Sequence, residues 1–408
     1  MDNNGYNRPP EQGNYYQNLY NMFGGYNPII DGQARSLRRL GLLAGTAAVL
    51  NIFFQNIFVI VIRGTTLLSL YQSSSVYMYG ISALAYILYL FLPFLVIYCI
   101  YSPKEKAKVL IFDKPKNAQT ATLAVFAGFA ACMASNFAGS VFTSFFSVLG
   151  IDFISGMEDN PLPKDFFGIL MMLISTCILP ALVEEFAFRG VLLQPLRKHG
   201  DRFAVLATSF IFSFMHGNMV QIPFSFICGI VLGYFCIKTK SIWTSVIIHF
   251  LNNFSAMLFA VFADRFPNAN AFYFYTIEFA IIASGTAAFI VFRKMNNAKQ
   301  RKSNDEIESR LKWALYICTP TVVLGIVDSL YNSFALQKTS TLLGVFVLVG
   351  ILVAVSVFVI KRINLIRSDA RLTQDSTYRI SKIIMIISAV VGTILIFNTS
   401  LISLGIQS

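Results

Sequence analysis

The chain has 408 residues, 56% of them hydrophobic and 13% charged, with a mean hydropathy of +0.63. That composition excludes a soluble globular domain and defines an all-α polytopic membrane protein. A net charge of +12 would suggest a nucleic-acid partner in a soluble protein. Here the basic residues gather in short segments between apolar runs and report topology, so no nucleic-acid partner is expected.

Residues 1–34 are rich in Asn, Tyr, Gly and Gln, lack apolar periodicity, and read as a disordered cytosolic tail with no cleavable signal peptide. Apolar runs of spanning length follow at 40–62, 76–101, 119–149, 166–194, 203–220, 222–237, 241–263, 271–292, 313–334, 341–360 and 383–405, which predicts about eleven transmembrane helices. The segment 35–118 holds the first two spans and a basic loop, and 119–293 holds nearly all the intramembrane polar residues. A basic cytosolic linker at 294–312 leads to a three-helix membrane bundle at 313–408, whose one conspicuous intramembrane charge is Asp328. Basic clusters precede the first span and follow the second, fourth, sixth, eighth and tenth, so all fall on one side. The N-terminus is then cytosolic and the C-terminus outside. Cys99, Cys132, Cys177, Cys228, Cys236 and Cys318 each fall in an apolar run without ligand or redox spacing, and read as small core residues. Gly229 and Gly233, four apart, predict close helix packing.

The chemistry concentrates in Ile178–Arg189, inside the fourth run. A charge at bilayer depth costs on the order of 3 kcal/mol, so Glu184, Glu185 and Arg189 are a functional-site hypothesis by default. Glu185 and Arg189, four apart, share a helix face and can pair, while Glu184 is turned away by about 100°. A structural ion pair that locks helix packing is the simpler reading of these three residues alone. Pro180 cannot donate to the carbonyl of Thr176 and loosens the helix one turn before the acids. His199 falls in a basic loop and reads as solvated. His216 lies in the fifth run after Phe212, and His249 in the seventh, four residues before Asn253. At 1.5 Å per residue, Glu184, His216 and His249 lie about 16, 20 and 12 Å from the cytosolic ends of their spans, which is similar depth. Hydrolysis fits this set: a buried carboxylate takes a proton from water, one histidine orients the water, and a second histidine with an amide donates to an oxyanion. Glu184, His216 and His249 are also a conceivable zinc set, so a metal-bound and a metal-free water both stay open. No Ser or Cys stands at a spacing that nominates a covalent nucleophile.

The ordered triplet Glu184-Glu185-x-x-x-Arg189, Phe212-x-x-x-His216 and His249-x-x-x-Asn253 resembles the signature of the CPBP intramembrane proteases. That family comprises CAAX prenyl endopeptidases and bacteriocin-processing or bacteriocin-immunity (Abi) proteins. The resemblance covers about residues 119–293. It implies a CPBP/Abi-type helical core with a cavity open to the cytosol, acting on membrane-associated, prenylated or leader peptides at a bacterial plasma membrane. It casts Glu184 as general base, His216 as its partner on water, His249 and Asn253 as the oxyanion pair, and Glu185, Arg189 and Phe212 as support. The lipid bilayer and a peptide or protein substrate are the expected partners. A non-catalytic binding or immunity protein of the same fold is the alternative. A transporter using Glu278 and Asp328 as further stations is a second one, and the lack of an internal repeat speaks against it.

Overall fold

A computed structural model describes residues 28–109, 114–115, 117–149, 162–266, 271–296, 302–303, 305, 307–335, 360–361 and 364. Among them no strand occurs. The helices are α1 (Pro28–Gly64), α2 (Leu67–Ser73), α3 (Ser75–Ile100), α4 (Pro103–Val109), α5 (Ala118–Val148), α6 (Phe166–His199), α7 (Asp201–Phe214), α8 (Gln221–Thr239), α9 (Ile242–Arg265), α10 (Ala271–Met295), α11 (Ser309–Ile317) and α12 (Pro320–Ala335). Within α3 the backbone widens to a π-helix at Ile87–Phe91, and within α6 at Ile174–Ile178 and Glu185–Leu192.

Among the described residues, seven helices are long and apolar enough to cross a membrane: α1, α3, α5, α6, α8, α9, and Tyr275–Met295 of α10. The short pair α11 and α12 makes an eighth if it is one broken span. The protein is therefore a multi-pass membrane protein. Its outward faces carry the apolar side chains that lipid demands, among them Ile60, Leu84, Val141 and Phe279, each more than 60% exposed. Among the described residues the expected count of about eleven is not confirmed. The last two runs lie outside the described residues, and the fifth is not a span: α7 has 14 residues. Its helix stops where Gly217 takes a positive φ of 60°, a conformation that glycine adopts without strain. Asn218 then turns the chain, its side chain accepting the Val220 N–H at 2.8 Å. The first helix also begins earlier than expected, at Pro28, within the segment read as tail. Pro28 sits at the helix start, where a missing N–H does no harm. Ile30, Ala34, Leu37 and Leu40 are buried at helical spacing, and Asp31 pairs with Arg35 at 2.9 Å.

The chain forms two compact units. One comprises residues 1–42, 305–320 and 353–408. Its described part packs the start of α1 on α11 so closely that a Cβ on Gly41 would lie 2.5 Å from the Tyr316 carbonyl oxygen. The other, residues 43–304 and 321–352, carries the site. In it, Ala124, Ala127 and Cys132 of α5 pack with Cys228, Leu232 and Phe235 of α8, Ile248 of α9 and Phe292 of α10. A second cluster joins Met78 and Tyr79 of α3 to Met172 and Cys177 of α6 and Met257 of α9. Gly229 lets α8 approach α7, since a Cβ there would stand 2.9 Å from Ser209 Cβ, and Gly233 meets Val205 one turn on. The close packing read from Gly229 and Gly233 is thus present. All six cysteines are free thiols; Cys99 is exposed and the other five are buried.

Candidate functional site

Helix α6 carries the acids on two different faces. Glu185 is fully buried and pairs with Arg189 (Oε1–Nη1 2.9 Å) inside the protein. Glu184, one residue earlier, faces a cavity of about 850 Å³. The divergence expected from the 100° step is present.

Pro180 shapes the same helix. It removes the N–H that would reach the Thr176 carbonyl, and the backbone is a π-helix at Ile174–Ile178. The Asn253 amide of α9 donates to that carbonyl at 3.1 Å. One N–H of Asn253 therefore repairs the helix, and the other remains for a second acceptor.

His249, one turn earlier on α9, is buried between the two acids. Its Nδ1 lies 2.9 Å from Glu185 Oε1 and its Nε2 lies 3.7 Å from Glu184 Oε2. Glu185 has only acceptors to offer, so Nδ1 carries a proton. His216 sits in the turn after α7, where Gly217 and Asn218 end the helix. Its Nδ1 lies 2.9 Å from the Phe212 carbonyl. A carbonyl only accepts, so Nδ1 is again the donor, and Nε2 keeps a lone pair. The Phe212 ring is a wedge between these groups. It meets His216 edge-on at 4.8 Å and His249 at 6.2 Å, and the Arg189 guanidinium lies 4.7 Å from its centroid. That last contact adds a cation–π attraction to the buried ion pair.

The cavity is lined by Glu184, Phe212, His216, His249, Asn252 and Asn253, with Glu278 and apolar residues such as Met172, Phe224, Leu232 and Met257. The four residues expected to do chemistry thus share one cavity, while Glu185 and Arg189 lie behind it. Of the other polar residues singled out, Asp328 lines a separate cavity of about 50 Å³ with Asn51, Gln55, Ser329 and the other side of His216. His199, expected in solvent, is 2% exposed at the end of α6. The sequence reading missed Tyr86. Its hydroxyl, from α3, donates to Glu184 Oε1. Glu184 Oε2, by contrast, is buried with no hydrogen-bond partner.

Among the described residues, no group of three His, Cys, Asp or Glu side chains is placed to hold a metal ion.

A multi-pass helical protein thus holds residues of all three motifs around one cavity. Residues 166–255 match the family model described as "Type II CAAX prenyl endopeptidase Rce1-like", and that segment contains Glu184, Glu185, Arg189, Phe212, His216, His249 and Asn253. The family resemblance holds over this segment. No curated protein matches the chain. No solved structure matches it either.

Proposed function

We propose that the chain is an intramembrane endopeptidase that cleaves membrane-associated, prenylated or leader peptides with a water activated by Glu184. The observation that carries this is the orphaned Oε2 of Glu184, buried at the wall of a cavity it shares with His216, His249 and Asn253.

The charges support the assignment. Two acceptors facing each other repel, so the Glu184–His249 pair holds one proton between them. With that proton on His249, the site contains two carboxylates, one guanidinium and one imidazolium, and sums to zero. A neutral sum is what a low-dielectric interior tolerates. Glu184 is then a base and His249 an N–H donor at both nitrogens, one held by Glu185. A water in the cavity gives one hydrogen to Glu184 Oε2 and the other to the Nε2 lone pair of His216. As its oxygen attacks the peptide carbonyl, Glu184 takes the proton. The oxyanion accepts from His249 Nε2–H and from the remaining N–H of Asn253. Collapse of the tetrahedral intermediate breaks the C–N bond, and Glu184 returns the proton to the leaving amine. In this reading Glu185 and Arg189 orient and balance His249, as a buried carboxylate orients the histidine of a catalytic triad. The predominantly apolar cavity wall suits a peptide drawn from the membrane. We further propose a cytosolic N-terminus, on Arg35, Arg38 and Arg39 ahead of the first long apolar stretch, and, on the family resemblance, a bacterial plasma-membrane location and a cavity opening toward the cytosol.

The test is purified protein in detergent with fluorogenic membrane peptides, including prenylated CAAX-like ones, beside Glu184→Gln and with a chelator arm. Cleavage lost in Glu184→Gln is expected. Equal cleavage by both proteins would refute the assignment of Glu184 as base.

A further inference from the structure

Tyr86 lies on α3, 98 residues from Glu184 and outside the family-matched segment. We infer that Tyr86 is a positioning residue for Glu184, which makes α3 part of the site; the inference rests on the peptidase reading above. A carboxylate has two oxygens, and a general base works best when one of them is aimed at the water. The Tyr86 hydroxyl holds Oε1, so the carboxylate plane is fixed and Oε2 is left 3.7 Å from His249 Nε2. Hydrogen bonds to a charged acceptor are the strong ones, and they set geometry as well as energy. Tyrosine suits the task because it donates without bringing a charge. A lysine or arginine at this place would upset the neutral sum of Glu184, Glu185, Arg189 and His249.

Tyr86 is itself held in place. Its ring meets that of Tyr89 edge-on, with centroids 5.4 Å apart. The π-helix at Ile87–Phe91 begins one residue after Tyr86, and Pro93 follows two residues beyond its end. Pro93 has no N–H to give the Tyr89 carbonyl its α-helical partner. Asn51, buried on α1, donates to that carbonyl at 2.9 Å. The arrangement repeats the one at Pro180, Thr176 and Asn253 on α6. In each case a proline opens the helix and an asparagine from a neighbouring helix closes it. The Tyr86–Glu184 hydrogen bond thus joins two helices, each closed at its proline by an asparagine.

The experiment compares wild type, Tyr86→Phe and protein carrying 3-fluorotyrosine at position 86. Tyr86→Phe keeps the ring and removes the hydroxyl, so fold and packing persist. Loss of one charge-assisted hydrogen bond to the base should lower kcat about 10- to 100-fold, with KM within about twofold. The fluorinated tyrosine retains its hydroxyl and should keep most of the activity. Its 19F resonance should move when Glu184→Gln removes the charge beneath it, a readout that needs no turnover. Wild-type kcat in Tyr86→Phe, or a resonance unmoved by Glu184→Gln, would overturn the inference. Absence of any Glu184-dependent cleavage would instead sink the peptidase reading, and the positioning role with it. The resonance would then still report whether Tyr86 sits on Glu184.

Discussion

The Arg189–Glu185 pair offers the sharpest test of how charge is arranged in this protein. The two side chains are 3% and 0% exposed and their charged atoms are 2.9 Å apart. Arg189 also approaches the Gly229 carbonyl at 3.4 Å and stacks over Phe212. Removing one partner of such a pair leaves an uncompensated buried charge and costs about 3–5 kcal/mol. Arg189→Met strands Glu185 with His249 as its one cationic neighbour. Glu185→Gln strands Arg189 with a carbonyl and a ring. At 2–4 °C per kcal/mol for a domain of this class, each single substitution should lower the Tm by roughly 6–20 °C. The double variant Glu185→Gln/Arg189→Met removes both charges and keeps the volume, so it should be more stable than either single one. The cycle then yields a coupling of about 3 kcal/mol or more. The assay is thermal unfolding in one detergent or nanodisc, read by tryptophan fluorescence and by loss of the monodisperse peak. If the two single losses add in the double variant, the pair does not act as a unit and the neutral-site argument fails.

Other expectations are simpler. Asn253→Ala frees the Thr176 carbonyl inside the bundle and should cost about 1–3 kcal/mol in the same unfolding assay; Asn253→Ala at wild-type stability would show that the carbonyl finds another donor. Gly45→Ala should be among the most damaging single changes, because its Cβ would stand 2.3 Å from the Val322 backbone N and 2.4 Å from the Thr321 carbonyl carbon, atoms that cannot swing aside; expression and monodispersity read this directly. Gly128→Ala should be milder, since its nearest neighbour at 2.4 Å is the far end of the Ile248 side chain. At the start of α6, the Gly168 N–H donates to Asp165 at 2.8 Å and holds that exposed carboxyl below its ordinary range. Its folded value is depressed, so the cap's contribution is complete above the ordinary carboxylate range and fades as pH falls through the lowered value. Asp165→Asn should flatten the Tm-versus-pH curve in that acid window, and an unchanged curve would contradict the cap.

Local chemistry was legible in the sequence where it is written in spacing. The four-residue step from Glu185 to Arg189 gives the ion pair, and the one-residue step gives Glu184 its separate direction. Hydropathy gave the helical class, yet it failed at residues 203–220. There an average over apolar side chains hides Gly217 and Asn218, whose stop signal places His216 in a turn at the cavity wall. It fails also at residues 28–34, which begin α1 but are too polar for a membrane window and read as tail. His199 reads as solvated from its basic neighbours, although burial is decided by what packs over it.

The two proline–asparagine pairs show where such reading ends. That Pro180 and Pro93 each leave a carbonyl without its α-helical donor follows from the sequence alone, because the loss is confined to one turn of one helix. Which side chain repairs it does not follow. Asn253 reaches Thr176 across 77 residues and Asn51 reaches Tyr89 across 38. Neither helix supplies the missing donor from its own turn, and in each case a neighbouring helix brings one. The requirement is therefore local and its solution is tertiary. Tyr86 belongs to the same category: a buried carboxylate announces that it needs donors, but nothing in the run around Tyr86 distinguishes it from the other tyrosines of α3. The acids are found by pattern, whereas the residues that aim them are found only once the helices are packed.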